Sequence, residues 1–136
     1  MRDFLAQNPS VKRSDLSITT KVWNHLHEPD EAKWSLENSL EKLQMDYVDL
    51  FLLHWPIAAK KDEKNTPNLS ADGKYIIKKG LTENPEPTWR AMEELYASRK
   101  ARAIGVSNWT IPGLKKLLQI GQPDRDPSLL VEHGAC

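Results

Sequence analysis

The 136-residue chain has a single cysteine, no excess of either charge and no long apolar run. Its one thiol, Cys136, cannot close an intrachain disulfide, which fits a reducing compartment. Its 19 Lys+Arg balance 19 Asp+Glu, and a phosphate-backbone binder would need a basic excess on one face. The longest apolar stretch, around Leu50–Leu53, falls well short of the ~18 residues of a membrane span. Met1-Arg2-Asp3-Phe4-Leu5 lacks the apolar block of a secretory signal. A disulfide framework, a nucleic-acid partner and a membrane partner are thereby disfavoured, and a cytoplasmic protein is the expectation. Hydrophobic residues at 39% and charged residues at 28% fit a globular protein, and the length suits one domain.

What is present alternates. Leu16–Val22, Tyr47–His54 and Ala103–Ser107 read as short strands, the second apolar enough to be covered on both faces. Between them lie helix-period segments. From Pro29, the positions Ala32, Leu36, Leu40 and Leu43 share one face, and Asp30 and Glu31 suit a helix start. Trp89, Met92, Leu95 and Tyr96 form a second face, opened by Pro87 and Thr88. Ile111, Leu114, Leu117 and Leu118 form a third, capped by Thr110 and stopped by Gly121 and Pro123. The β-α-β-α-β-α order predicts an α/β fold with a parallel sheet and right-handed crossovers. The Lys-, Asn- and Pro-rich stretch 58–87 interrupts the rhythm, and a loop of that length is usually functional or mobile.

Ligands collect at the carboxyl ends of parallel strands. The three ends carry Lys21 followed by Trp23-Asn24, His54 followed by Trp55, and Ser107-Asn108. Each has a plain structural explanation alone: a solvated lysine, a structural histidine, turn chemistry. Their placement along one edge favours a site. Strand alternation puts His54 on one face with Leu52, Leu50 and Val48, Lys21 with Thr19 and Ser17, and Ser107 with Gly105 and Ala103. Phe51 and Leu53 then face the helices.

The motifs Ile18-Thr-Thr-Lys-Val-Trp-Asn24, Ser39-Leu-Glu-Lys-Leu-Gln-Met-Asp-Tyr-Val-Asp-Leu50, Leu53-His-Trp-Pro56 and Ile104-Gly-Val-Ser-Asn-Trp109 resemble the aldo-keto reductases. The likeness runs from about Arg2 to Gln122, and Thr82–Trp89 is most similar to fungal glycerol and aldehyde reductases of that family. The resemblance implies a partial TIM (β/α)8 barrel, strands three to five of eight, in an NADP(H)-dependent oxidoreductase acting on small carbonyls or alcohols. It implies catalytic roles for Lys21 and His54, cofactor contacts from Ser107 and Asn108, and substrate-pocket positions for Trp23 and Trp55. Such chemistry needs positive charge and a proton donor at the developing alkoxide.

The resemblance also sets expectations of incompleteness. The family's tyrosine acid and its aspartate partner would precede Met1, and Tyr47, Tyr75 and Tyr96 match neither motif position. Residues 1–122 are expected to form the reductase segment, with 123–136 a divergent tail. A barrel of about 250 residues would leave this chain roughly half. Its outer strands would then be unpaired, its inner row Val48, Leu50 and Leu52 would face water, and copies would self-associate through the open edges. The alternatives are a non-catalytic half-barrel that binds or interacts, and an incomplete gene model without independent function. His25 and His27, or His133 and Cys136, lack the remaining ligands of a metal site, and loop roles are simpler.

Overall fold

The computed structural model describes residues 1–120 and the backbone of Leu130–Glu132. Gly121, Pro123, His133 and Cys136 lie outside the described residues. Four short parallel strands form one sheet: β1 (Thr19–Val22), β2 (Leu50–Leu53), β3 (Ile104–Ser107) and β4 (Leu130–Glu132), in that order. Helix α1 (Arg2–Gln7) precedes the sheet, and α2 (Pro29–Leu43) joins β1 to β2. Helices α3 (Lys79–Glu83) and α4 (Glu86–Ala97) lie between β2 and β3, and α5 (Ile111–Ile120) follows β3.

The helices begin and end as their sequences dictate. Pro29 opens α2, Asp30 and Glu31 sit at its positive end, and Gln44 closes it in the left-handed region at φ 54. Thr110 opens α5 by accepting the Leu114 and Gly113 amides on its carbonyl and hydroxyl. Ala32, Leu36, Leu40, Trp89, Met92 and Leu95 meet Val22, Phe51, Leu53, Ile104 and Val106 in one core between helices and sheet. The third helical face is narrower than its spacing predicts. Leu117 is buried and Leu114 packs against the core, but Ile111 and Leu118 are 67% and 70% exposed. These two are seven residues apart, a stripe on the helix edge that the described residues leave uncovered.

The strands are shorter than the sequence suggests. At the entrance to β2 the amides of Asp49 and Leu50 both donate to the Ile18 carbonyl, while the Asp49 carboxylate accepts from the Ile18 amide at 2.9 Å. On the other side, Val48 donates to Lys100 and the next donor, Phe51, to Ala103, a step of three residues on both chains. Regular pairing steps by two, so alternation flips here. Val48 and Ala101 therefore join the helix-side core, whereas Leu50, Leu52 and Ala103 form a separate cluster on the other face. Placing Val48 in the inner row was incorrect for this reason.

Two further expectations change. Leu50 and Leu52 are buried instead of facing water: in register they lie between Thr19 and Lys21 on one side and the Ala103–Gly105 segment on the other. The far edge of β3 is also occupied, because Gly105, Val106 and Ser107 pair with β4. Among the described residues the outer edges of β1 and β4 have no neighbouring strand.

Stretch 58–87 has an internal order that its composition hides. Lys60 donates to the Ile76 carbonyl, Ile76 to Asn68 and Asn68 to Lys60, with backbone distances of 2.7, 3.0 and 2.8 Å. Three short segments thus close into a triangle, which satisfies backbone groups that a free loop would leave to water. Gly73, at φ 77, makes the turn between two of them.

Candidate active site

The sheet register brings the carboxyl ends of the first three strands level. Val22 pairs with Leu53, and Leu53 with Val106. Trp23, His54 and Ser107 are the next residues along each chain and share one layer; Lys21, Leu52 and Gly105 form the layer beneath. The His54 amide prolongs the ladder by donating to the Val22 carbonyl at 3.2 Å. All six candidate positions are therefore gathered at this edge, Lys21, Trp23, His54 and Ser107 on one face, with Trp55 and Asn108 one residue further on.

The histidine lies in an aromatic cleft. The Trp23 ring meets His54 edge-on, centroids 5.2 Å apart at 84°, and Trp55 is tilted against it at 6.0 Å. Burial lowers the His54 pKa, and the positive charge of Lys21 lowers it further, so the imidazole is neutral near pH 7. Its Nδ1 is enclosed without a hydrogen-bond partner. Lys21 makes no ion pair among the described residues. Its ammonium is thus a fixed charge beside a neutral imidazole.

At the third strand end, Ser107 is buried and Asn108 adopts φ 61. That left-handed conformation is one that asparagine tolerates better than most residues. The Asn108 Nδ2 donates to the His54 carbonyl at 3.0 Å and to Ser107 Oγ at 3.1 Å. Because a carbonyl only accepts, this fixes which amide atom faces His54. Both amide hydrogens are then committed, leaving Asn108 Oδ1 as an acceptor. Ser107 Oγ accepts from Asn108, so its own hydrogen remains to be donated. The pair offers one donor and one acceptor side by side, the complement of a primary carboxamide.

The loops around this edge are tied together. Ala59 donates to the Asn24 carbonyl at 2.8 Å, Lys78 pairs with Glu28 at 2.9 Å, and Lys61 pairs with Glu31. Lys61 and Lys78, both within the Lys-rich stretch 58–87, thus fasten that loop beside β1. Thr88, fully buried on α4, donates to the His27 carbonyl at 2.5 Å. His27 is 2% exposed, and burial, reinforced by Lys78 and His25, lowers its pKa to about 4. Burial also lowers that of His25, against the opposing charge of Glu31. Among the described residues no cluster of three or more metal-ligating side chains occurs.

Sequence inspection missed Asn24, whose buried Oδ1 has no partner, and the bridging role of Asn108. The Trp23-Asn24 pair just beyond a strand end was a signal for the first; nothing local signals the second. The tyrosines stand elsewhere. Tyr47 lies between the Arg13 and Arg102 guanidiniums, 4.0 and 4.1 Å from its ring, at the opposite end of the strands. Tyr75 is in the triangular insertion opposite Leu69, and Tyr96 is on α4.

The aldo/keto reductase family model matches residues 1–127. The chain belongs to the aldo/keto reductase family. It is 67% identical over 122 residues to a glycerol 2-dehydrogenase (NADP(+)) of Hypocrea jecorina, a match covering 90% of this chain and 38% of that protein. An aldose reductase from Giardia lamblia superposes with a TM-score of 0.74 at 38% identity, over 81% of this chain and 35% of that one. A Bombyx mori aldo-keto reductase solved in complex with NADP gives 0.70 at 30% identity, over 96% and 38%. This aldo/keto reductase chain thus spans about two fifths of the length of the curated relatives it matches, less than the half expected from barrel size. The parallel β/α succession is the expected arc of the barrel, with β4 an addition to the three strands read from sequence.

Proposed function

We propose that this chain supplies the central part of an NADP(H)-dependent reductase or dehydrogenase site for a small carbonyl or alcohol. Glycerol, named for the 67% identical relative, exemplifies the class. The observation that carries the reading is the donor–acceptor polarity of Ser107 and Asn108 beside His54. Ser107 would donate to a carboxamide oxygen and Asn108 Oδ1 would accept from its nitrogen, so this pair would hold a nicotinamide at the third strand end. NADPH, when bound there, supplies a hydride. Lys21 and His54 then meet the substrate oxygen, the lysine as fixed positive charge and the neutral imidazole as an orienting hydrogen-bond donor. Trp23 and Trp55 flank the imidazole.

In the family a tyrosine donates the proton, and none of Tyr47, Tyr75 and Tyr96 shares the layer of His54. Lacking a general acid costs on the order of 10²–10⁴ in rate, so this polypeptide alone binds without appreciable turnover. On this reading residues 1–122 are the reductase segment and 123–136 a divergent tail. No helix among the described residues is long and apolar enough to cross a membrane, and the reading assigns the chain to the cytoplasm. Copies associate through the open edge of β1, which sedimentation checks: a monomer at all concentrations refutes that contact.

NADPH fluorescence titration tests the central reading. A saturable change that Ser107→Ala weakens is expected, together with no oxidation of NADPH by glyceraldehyde. An absence of any saturable change overturns the binding site, and enzyme-like turnover overturns the assignment of the missing acid.

A further inference from the structure

The backbone leaves strand geometry at His54. In an extended strand the N–H and C=O of one residue point to the same side. Here the His54 amide donates toward β1, to Val22, whereas its carbonyl is turned to the opposite side and accepts from Asn108. No other donor reaches that carbonyl among the described residues. The peptide following His54 is therefore rotated out of the ladder and held by one side-chain amide. That same amide grips Ser107 Oγ, and its residue occupies the left-handed region at φ 61, which brings its side chain back over the strand end.

We infer that Asn108 is a positioning residue for His54, its side-chain amide clamping the His54 carbonyl so that the imidazole stays between Trp23 and Trp55, level with Ser107. The inference rests on the reading that His54 acts at the substrate oxygen and adds a second duty to Asn108. The residue that presents an acceptor to the nicotinamide carboxamide also fixes the imidazole 54 residues earlier in the chain. One side chain thereby sets the spacing between the cofactor-binding atoms and the group that orients the substrate. Asparagine meets the requirements together: it tolerates φ 61, supplies two N–H donors and retains an acceptor. Aspartate keeps the shape and the conformational tolerance but has no N–H to donate. Glycine keeps the conformation and has no side chain.

Nuclear magnetic resonance of the 136-residue chain, without cofactor, tests this with Asn108→Asp and Asn108→Gly. Both leave the backbone turn available, so a purely conformational role for Asn108 predicts wild-type His54 ring resonances in each. The clamp predicts that in both variants those resonances move away from their positions beside the Trp23 and Trp55 rings toward those of a free histidine, while the core methyls of Leu36 and Met92 do not shift. Unchanged His54 signals in both variants overturn the inference. If neither variant folds, the wild-type chain decides it: side-chain amide protons of Asn108 protected from exchange support the clamp, and protons exchanging as fast as those of exposed asparagines overturn it. NADPH titration separates the two levels. Failure of the wild-type chain to bind removes the cofactor reading and leaves the His54 result standing. With binding intact, Asn108→Asp is expected to weaken it about tenfold, the loss of roughly one buried hydrogen bond.

Discussion

Lowering the pH from 7 to 4 should remove about 3 kcal/mol of stability through His27 alone. The imidazole is 2% exposed, its Nε2 is enclosed without a partner, and Lys78 and His25 are close enough to disfavour its charge. Its pKa falls from 6.5 to about 4 in the folded chain. Between those values the unfolded chain binds a proton that the folded chain excludes, so protonation favours unfolding. The contribution is complete above pH 6.5 and is lost progressively as pH drops toward 4. At one pKa unit per ~1.4 kcal/mol, a shift of about 2.5 units gives roughly 3 kcal/mol by pH 4. Urea unfolding at several pH values measures it, with the midpoint moving by about 1–2 M for m near 1.5–3 kcal/mol per M. His54 and His25 act in the same direction, and the lowered Asp49, Asp62 and Asp72 act below their usual pKa. A His27→Leu variant therefore isolates the effect. Its stability should fall less with acid than the wild type's, by about that amount. Parallel pH profiles for the two proteins would refute the reasoning.

Three other outcomes follow from the packing. Thr88→Val removes the buried donor to the His27 carbonyl and should cost about 1–3 kcal/mol in urea unfolding; an unchanged midpoint would mean that water replaces the hydroxyl. Met92→Ala empties a fully buried position between α4 and the sheet and should cost about 2–5 kcal/mol by the same assay. For Asp49, burial raises the pKa, but the Ile18 amide and the 2.8 Å pair with Arg13 outweigh it and hold the carboxyl below 3.8. Asp49→Asn should thus destabilise the chain by about 1–2 kcal/mol at pH 7, and the deficit should shrink as pH falls through the carboxylate range. A deficit that stays constant to pH 2 would place the effect in packing instead.

Much of this fold is written locally. The apolar spacing of Ala32–Leu36–Leu40 and of Trp89–Met92–Leu95 marks the buried helical faces, because a helix repeats every 3.6 residues wherever it sits. The position of α5 is equally legible, but the exposure of Ile111 and Leu118 is not, since burial depends on what another part of the chain covers. The same division runs through the site. Lys21, His54 and Ser107 were recognisable as strand-end residues, and their common edge follows from parallel pairing. The use of Lys61 and Lys78 as fasteners was hidden, because Glu31 and Glu28 lie 30 and 50 residues away.

The sequence by itself determined the β/α succession, the family, and the edge at which polar strand ends meet, all properties of short-range pattern and motif. Only the tertiary structure decided that Val48 and Leu50 face opposite sides, that residues 58–87 close into a hydrogen-bonded triangle, and that Asn108 holds the His54 carbonyl. The physical reason is the same in each case. Periodicity states which residues prefer to be buried, but a hydrogen bond between distant segments exists only when register and backbone direction bring one donor to one acceptor. A three-residue step in pairing, or a single rotated peptide after β2, leaves no trace in composition or spacing and still fixes where the imidazole stands.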